Sequence, residues 1–556
     1  MQRRLNLNRV GVSYWVDIIL AMVFGLAAAV AVWLFDMAVE FSDKLDPRTL
    51  DWWWVLLVPT IGGAIVAAAS NLLRISASGG VVDVIAHIFT RRHVISKPKA
   101  LVKPVLAAVS IITGNPVGSE APVVLLGAQV ASFSGNLFKL PRARRRMLIA
   151  CGAAAGIASA FLSPLAAIAF SLEIILMEFT MFEFGMLAIS TGSAYITAKF
   201  IFHTHEILEI PKSLPSIEWQ QLGLFILLGV LCAVVAVYWS KILGALEHFA
   251  HSYPAALIWG PIAAGLFAGC VALVFPEIWG PGYKVMSELF VSVEMPFYIA
   301  IGLLLAKLFS TSFVLGLGGA GGDLAPGMFI GAAAGVAIGA FYPALLPVLV
   351  LAGICAQLAA TMHAPLFGIL LAIELSGQVV EILPVMVAIA IASLLALRIM
   401  PRSIYAEKAK KEGIMPSKIQ FQDPMETAIG EVMTTHLITI QAIDDVGKAI
   451  KVMHKHNLSA LPVMDKNKLH GILTLQDLRR RVAPGELEKL VGDVDTRNPV
   501  RCTPDTTLKD GWELLKGHQI GRLLIVSKSN DRKLLGIVTK KDLLEAATRR
   551  FSRCND

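Results

Sequence analysis

Long apolar stretches separated by short polar breaks make up the chain as far as about Leu397. Beyond Met400 charged residues alternate with short apolar runs, as they do in water-soluble domains. Several apolar stretches are shorter than the ~20 residues that a membrane-spanning helix needs, and others are interrupted by glycine or proline. The pattern predicts an all-α polytopic membrane domain with broken and re-entrant helices, followed by a water-soluble domain. The predicted apolar segments are 15–40, 53–73, 101–113, 121–138, 147–176, 184–203, 219–245, 256–275, 297–316, 327–345, 346–376 and 380–399.

Two motifs occur twice in the membrane region, about 200 residues apart. GSEAPVVLLGA, which starts at Gly118, is similar to GDLAPGMFIGA, which starts at Gly322. Likewise, PLAAIAFSLE from Pro164 is similar to PLFGILLAIE from Pro365. The copy that starts at Gly118 is followed by the basic segment LPRARRRM, whereas the copy that starts at Gly322 is followed by the uncharged segment FYPALLPVL. By the positive-inside rule, the two copies therefore have opposite orientations in the membrane. The sequence therefore predicts an inverted repeat, with halves at about 11–205 and 218–405.

The water-soluble region contains a second duplication. LHGILTLQDLRR (469–480) and LLGIVTKKDLLE (534–545) repeat at a spacing of about 65 residues. Each copy follows an amphipathic, helix-like stretch and a short run typical of a β-strand. We therefore expect a membrane domain over 1–405, a linker over 406–426, and two small α/β units, at 427–483 and 490–548, that pack as a pair.

Composition agrees with a membrane protein and excludes several functional classes. Of the 556 residues, 56% are hydrophobic and only 16% are charged, against about 25% charged in a soluble protein. The net charge of +8 comes from basic residues clustered at the ends of apolar stretches, which indicates membrane topology rather than nucleic-acid binding. The sequence has no metal-ligand spacing among its six cysteines, no glycine-rich phosphate loop and no nucleophile–base arrangement. We therefore expect neither a metal site nor an enzyme.

Glu120 is a carboxylate at the predicted start of a helix in the middle of the membrane. Pro122 suits the first turn of that helix, and the preceding glycines allow a tight turn. Helix N-terminal N–H groups and the positive dipole end make an anion site, and GAGGDLAP would build the same site from the other half. A charged group near the bilayer centre costs ~2.5–3.5 kcal/mol, of which a helix N-terminus returns up to ~2 kcal/mol. We expect Glu120 to fill the anion site when ionised and to leave it when protonated; the alternative is a helix cap without a transport role.

The sequence resembles the CLC family of chloride channels and chloride/proton antiporters over almost its whole length. The GxEGP motif that holds the family's gating glutamate corresponds to Gly118–Pro122, with alanine for the second glycine, and GxFxP corresponds to Gly322–Pro326. The family's late, anion-contacting tyrosine corresponds to Tyr405. The resemblance implies a homodimer of two inverted-repeat subunits, each with its own pore in the lipid bilayer. It also implies an anion site formed by Ser78 or Gly79, Ser119, Glu120, Asp323, Leu324 and Tyr405.

Three positions depart from the family pattern. The serine of the GSGIP motif aligns with Gly79, and only a one-residue slip would restore Ser78 in its place. Ile174 stands where the antiporters carry their internal proton-transferring glutamate, while the preceding Glu173 recurs as Glu374 and favours a structural role. Asp323 adds a second carboxylate, either as a cap of its helix or as part of a proton path with Glu120 and Glu173. The family's fluoride/proton antiporters share three of these features: an acidic residue at this position, a non-serine at the central anion position and no standard internal glutamate.

The water-soluble region resembles a tandem CBS, or Bateman, module. In such modules a Thr and an Asp at the end of the repeated motif hold the phosphate and ribose of an adenine nucleotide. The matching pairs here are Thr474 with Asp477 and Thr539 with Asp542. The resemblance implies ATP, ADP or AMP as an optional regulatory ligand and no required cofactor.

The expected function is chloride transport by a CLC-type, voltage-gated channel or antiporter, gated by Glu120, with protons as a second substrate in the antiporter case. Fluoride/proton antiport is the alternative within transport. A membrane-anchored nucleotide sensor is the alternative from another class, although an anchor needs no broken helices at membrane depth. Arginines before the first apolar stretch predict cytoplasmic N- and C-termini. We expect a prokaryotic plasma (inner) membrane location.

Overall fold

The computed structural model divides into two compact units, residues 1–418 and 419–556. It describes residues 2–40, 47–89, 95, 98–137, 142–211, 214–215, 217–378, 382–411, 428–466, 468–483 and 485–552. The predicted linker, 406–426, lies outside these residues from 412 onward. Its first residues belong to a helix of the first unit.

Among the described residues, the first unit has two series of eight α-helices, with a short helix in the third and the seventh place of each series, followed by one further helix. The first series is α1 (Gln2–Val39), α2 (Trp52–Leu73), α3 (Val81–Phe89), α4 (Val102–Ile112), α5 (Glu120–Leu137), α6 (Arg142–Phe161), α7 (Pro164–Phe170, continued by a π-helical turn over Ser171–Leu176) and α8 (Met181–Ile196). The second is α9 (Leu222–Ser252), α10 (Pro254–Ala272), α11 (Tyr283–Leu289), α12 (Phe297–Gly316), α13 (Leu324–Gly339), α14 (Leu346–Met362), α15 (Pro365–Ser376) and α16 (Leu383–Ile399). The last helix is α17 (Ile404–Lys411).

Seven helices of the described residues are long and apolar enough to cross a membrane. Three further apolar helices, α5, α13 and α15, are shorter than the ~20 residues that a membrane-spanning helix needs. Nearly every residue of α13 and α14 is buried, so these two helices lie in the interior of the unit. The long helices α1, α2 and α9, by contrast, expose large apolar side chains, as expected of a surface that faces lipid.

Close helix crossings repeat between the two halves. A Cβ atom on Gly127 of α5 would lie 2.0 Å from the carbonyl oxygen of Gly152 in α6. In the second half a Cβ atom on Gly331 of α13 would lie 2.2 Å from the carbonyl oxygen of Gly353 in α14. Glycine at these four positions lets the helix backbones touch, which is the usual way to pack helices in a membrane.

Two predicted apolar segments, 147–176 and 346–376, are each divided into two helices. The break falls at Leu162 in the first half and at His363 in the second, and both residues have left-handed backbone angles (φ 52° and 55°). A proline begins the next helix in each case, Pro164 and Pro365. Proline has no N–H to donate and disfavours helical geometry in the residue before it, so the helix must end there.

The second unit contains two α/β repeats. Each pairs a short strand in parallel with the next strand, which pairs antiparallel with the strand after it. The two sheets have the orders β1-β2-β3-β4 and β5-β6-β7. The elements are β1 (Ile440–Gln441), α18 (Val446–Lys455), β2 (Ala460–Asp465), β3 (Lys468–Thr474), α19 (Leu475–Arg481), α20 (Val491–Val494), β4 (Thr496–Arg497), β5 (Arg501–Cys502), α21 (Leu508–Gly517), β6 (Arg522–Ser527), β7 (Asn530–Thr539) and α22 (Lys540–Ser552).

The segment that precedes each repeat packs into the core of the other repeat. Ile429, which precedes β1, lies in the core formed by α21, β6 and β7. Val491 and Val494 of α20, which precede β5, lie in the core of the first repeat. This exchange makes the two repeats one folded unit, because neither core is complete without a segment from the other side.

Candidate functional site

The two broken-helix loops of the inverted repeat contact each other through their backbones. The N–H of Gly118 donates to the carbonyl of Gly322, and the N–H of Gly322 donates to the carbonyl of Gly118, each at 2.8 Å. α5 begins at Glu120 and α13 begins at Leu324, two residues after each of these glycines. The N-termini of the two helices, one from each half, therefore start next to each other inside the membrane unit. The N–H groups of their first turns and the positive ends of their dipoles together favour an anion.

The Glu120 side chain fills the space between these two loops and is 1% exposed. The Tyr283 hydroxyl donates to its Oε1, and the same hydroxyl lies 3.0 Å from the Ser119 hydroxyl. Within the described part of the chain, Oε2 has no hydrogen-bond partner. A Cβ atom on Gly118 would lie 2.1 Å from Oε2, and one on Gly322 would lie 3.1 Å from it. The two glycines thus make room for the carboxylate.

Asp323 and Tyr405 form a second buried polar contact at the start of α13. The Tyr405 hydroxyl, at the start of α17, donates to Asp323 Oδ1 at 2.7 Å, and both side chains are buried. Asp323 is the residue before Leu324 at the helix start, yet its side chain makes no capping hydrogen bond. The capping interpretation of this carboxylate is therefore wrong, because the carboxylate faces Tyr405 instead of the first turn of its own helix.

A third turn, before α3, packs against the start of α5. A Cβ atom on Gly80 would lie 2.7 Å from Ala121 Cβ, so this turn touches the residue after Glu120. Gly79 and Gly80 have positive φ angles of 145° and 77°. The Ser78 hydroxyl pairs with the Ser76 hydroxyl at 2.8 Å. Gly80 is thus the residue of this turn that meets α5, whereas a Cβ atom on Gly79 would approach Asp83 and Lys103.

Glu173 does not join this cluster in the described structure. Its two carboxylate oxygens accept from the N–H groups of Leu366 and Phe367 at 3.1 and 2.8 Å, at the start of α15. Glu374 in α15 does the same for the start of α7, accepting from Leu165 and Ala166 at 2.8 Å each. The two glutamates therefore cap each other's helices across the interface of the two halves.

Sequence reasoning missed Tyr283, the hydrogen-bond donor to Glu120. The signal that could have found it is the order of the repeat. Because α3 and α11 occupy the same place in the two series, the start of α11 should approach the broken helices as the start of α3 does. Tyr283 is the first residue of α11 and follows Gly282, whose φ is 87°.

The four predicted nucleotide-site residues form the same pair of bonds in each repeat. Asp477 Oδ2 accepts from the backbone N–H and hydroxyl of Thr474, at 2.9 and 2.6 Å, at the start of α19. Asp542 Oδ2 accepts from the N–H and hydroxyl of Thr539, each at 2.8 Å, at the start of α22. In the first repeat the other carboxylate oxygen, Asp477 Oδ1, also accepts from the Thr496 hydroxyl at 3.0 Å. Threonine and aspartate are residue types that can hold a phosphate and a ribose. Asp477, however, already accepts one more hydrogen bond within the protein than Asp542 does.

Comparison with known proteins identifies both units. The profile of the family described as voltage gated chloride channel matches residues 62–397. The CBS domain profile matches residues 429–484 and 491–549. The voltage-gated ClC-type chloride channel ClcB of Escherichia coli (strain SMS-3-5 / SECEC) is 30% identical over 236 residues, which are 42% of this chain and 56% of ClcB. ClcB of Shigella flexneri matches at the same identity and coverage. The matched region is thus little more than half the length of these relatives.

Solved structures show the same fold. A slow cyanobacterial Cl⁻/H⁺ antiporter has a TM-score of 0.63 and 24% identity, over 72% of this chain and 99% of its own. A eukaryotic CLC transporter has a TM-score of 0.63 and 19% identity, over 95% of this chain and 97% of its own. A CLC-type fluoride/proton antiporter has a TM-score of 0.60 and 20% identity, over 70% and 96%.

These matches agree with the apolar helices, the inverted repeat and the paired α/β repeats of the structure. They identify an integral membrane protein of a transport family, which is not an enzyme family. The chain therefore belongs to the voltage-gated chloride channel family, the CLC family, and carries a pair of CBS domains.

Proposed function

We propose that the protein moves chloride across a membrane through a pathway in each subunit that Glu120 gates. The observation that carries this proposal is the pair of helix N-termini, α5 and α13, joined by the Gly118–Gly322 bonds, with the Glu120 carboxylate between them. A chloride ion and an ionised carboxylate need the same N–H donors and the same positive dipole ends. Glu120 and the transported anion therefore exclude each other.

Protonation is the event that frees the site in this proposal. A neutral Glu120 loses its attraction to the helix ends, so acid pH favours departure of the side chain and entry of an anion. Glu120 binds a proton as it leaves, and this is the step through which anion flux and proton movement become linked. Asp323 is the second carboxylate of the proposed proton path. Glu173 contributes to that path only if its two backbone hydrogen bonds break.

Two observations favour fluoride/proton antiport as the second candidate. Gly79 aligns with the anion-binding serine of the family, and the neighbouring Ser78 hydroxyl pairs with the Ser76 hydroxyl. Asp323 adds a buried carboxylate at the start of α13. Both features are ones that the family resemblance associates with the fluoride/proton antiporters.

The remaining parts of the proposal concern assembly and regulation. The protein forms a homodimer in a prokaryotic plasma membrane, with both termini in the cytoplasm. The CBS pair binds an adenine nucleotide and thereby regulates the pathway. The Thr–Asp pairs at the starts of α19 and α22 support nucleotide binding.

Anion flux from liposomes tests the central proposal. Purified protein should release chloride faster at acid than at neutral pH. Glu120→Gln should release chloride about tenfold faster than the wild type at neutral pH, because a helix end holds the ionised carboxylate by ~1–2 kcal/mol, and its flux should vary little with pH. Glu206→Gln, which changes an exposed carboxylate paired with Lys199, serves as the control. Absence of halide flux in both the wild type and Glu120→Gln would contradict the proposal, and faster fluoride than chloride release would favour the second candidate.

A further inference from the structure

Lys307 is a fully buried lysine in the middle of α12. Its ammonium donates to the backbone carbonyls of Ile278 and Gly280, at 2.9 and 2.6 Å. It also lies 4.9 Å from the centroid of the Phe329 ring in α13, within cation–π distance. Placing a lysine inside a membrane protein costs ~2.5–3.5 kcal/mol of free energy. Lysines at such positions usually have a function, so we expect one for Lys307.

The two carbonyls belong to the turn that leads into α11. Ile278 ends a short 3-10 helix, Gly280 follows with φ 56°, and Gly282 precedes the helix with φ 87°. A Cβ atom on Gly282 would lie 3.4 Å from the Lys307 ammonium. The ammonium is therefore in contact with the turn immediately before Tyr283, and Tyr283 donates to Glu120.

The same face of α12 also holds the loop before Glu120. Thr311, one helical turn after Lys307, donates its hydroxyl to the carbonyl of Pro116 at 2.6 Å. The two loops are joined to each other as well, since the N–H of Gly280 donates to the carbonyl of Gly114 at 3.1 Å. α12 thus anchors both sides of the Tyr283–Glu120 contact, through a lysine on one side and a threonine on the other.

We propose that Lys307 is a positioning residue that holds the Tyr283 hydroxyl against Glu120 and so sets the pH at which the carboxylate leaves the anion pathway. This inference rests on the proposed gating role of Glu120. A hydrogen bond donated to an ionised carboxylate stabilises the ionised form. Loss of the two carbonyl contacts loosens the turn, weakens the Tyr283 hydrogen bond, and lets Glu120 accept a proton at higher pH. Lys307 itself touches neither the carboxylate nor an anion in this scheme.

Chloride efflux measured against pH in liposomes tests the role of Lys307. Lys307→Met and Tyr283→Phe should each move the pH of half-maximal flux upward, by about one pH unit for a hydrogen bond to a charged group worth ~1.5 kcal/mol. The double variant should shift no further, because both changes remove the same hydrogen bond. Lys307→Gln keeps amide N–H donors without the charge and should stay close to the wild type. Lys241→Met, which replaces an exposed lysine that stacks on Tyr238, is the matched control.

Each of the other outcomes overturns the inference in a recognisable way. Additive shifts in the double variant, or an equal shift in Lys307→Gln, would mean that the charge acts on Glu120 directly. A flux defect of Lys307→Met that persists in a Glu120→Ala background would mean a structural role only. If Lys307→Met fails to fold, Tyr283→Phe in the Lys307→Gln background should shift the pH by as much as Tyr283→Phe alone, and a larger or smaller shift would contradict the positioning role. Absence of flux in both the wild type and Glu120→Ala would instead reject the gating proposal itself.

Discussion

At the scale of single residues, two carboxylates at neighbouring helix starts have different surroundings. Glu120 receives a hydrogen bond from Tyr283 and keeps one oxygen in the space between two glycines. Asp323 receives a hydrogen bond from Tyr405, the tyrosine that the family resemblance assigns to anion binding. The Tyr405 hydroxyl can donate to the carboxylate or to an anion, but not to both at once. In the proposed pathway, Asp323 would therefore compete with the anion for this donor.

Asp323→Asn should strengthen chloride binding. The amide keeps the shape of the side chain but is a weaker acceptor than a carboxylate, so Tyr405 can turn to chloride more easily, and the negative charge at the start of α13 is removed. We expect about tenfold tighter chloride binding, corresponding to ~1 kcal/mol of helix-end interaction and some direct repulsion. The concentration dependence of efflux measures this affinity. Weaker chloride binding in Asp323→Asn would contradict the competition.

Tyr405→Phe is the paired control for Asp323→Asn. It removes the donor and leaves the carboxylate buried without it, which should lower the stability of the membrane unit by about 1–3 kcal/mol. Thermal unfolding in detergent separates this loss of stability from an effect on chloride affinity.

At the scale of helices, the structure is built from elements that end inside the protein and are completed by the other half. The break after α6 and the break after α14 repeat with the same left-handed residue and the same following proline. Each helix that starts at such a break receives a glutamate from the opposite half as its cap. Short, interrupted helices are stable here because their free N–H groups find partners within the protein.

Glu173→Gln and Glu374→Gln should therefore have matched effects. Each removes the charge from a cap that accepts two backbone N–H groups, and each should lower stability by about 1–2 kcal/mol. Thermal unfolding of the two variants side by side measures this, and flux-driven proton movement measures coupling. If Glu173→Gln alone lost proton movement while the two variants unfolded alike, Glu173 would be part of a proton path after all.

At the scale of the whole molecule, two separate duplications build two separate units. The membrane duplication is inverted, and each repeated motif meets its own counterpart: Gly118 bonds to Gly322, and Glu173 and Glu374 cap each other's helices. In the CBS pair the repeats exchange the segments that precede them, so their cores depend on each other. One duplication thus brings two corresponding helix starts together, and the other gives two corresponding Thr–Asp pairs that differ in one hydrogen bond.

The CBS pair should bind ATP or AMP more strongly through its second repeat. Asp542 uses Oδ2 for both bonds to Thr539, whereas Asp477 also engages Oδ1 with Thr496. Calorimetry on the detergent-solubilised full chain should therefore show that Asp542→Ala weakens binding by about tenfold or more, the loss of one hydrogen bond to a charged group. Asp477→Ala should have the smaller effect. Equal binding of nucleotide by the wild type and both variants would remove these residues from the site.

The sequence by itself determined the fold class, the inverted repeat, the tandem α/β module and the helix start at Glu120. These features depend on local signals: apolar runs, proline and glycine at helix boundaries, and duplicated motifs. The partners of each carboxylate were decided only by the tertiary structure. Tyr283, Tyr405 and the Glu173–Glu374 caps come from elements far apart in the chain, and their contacts depend on how the two halves pack. Hydrophobic periodicity predicts where a helix runs, but a hydrogen bond between helices needs positions accurate to a few tenths of an ångström.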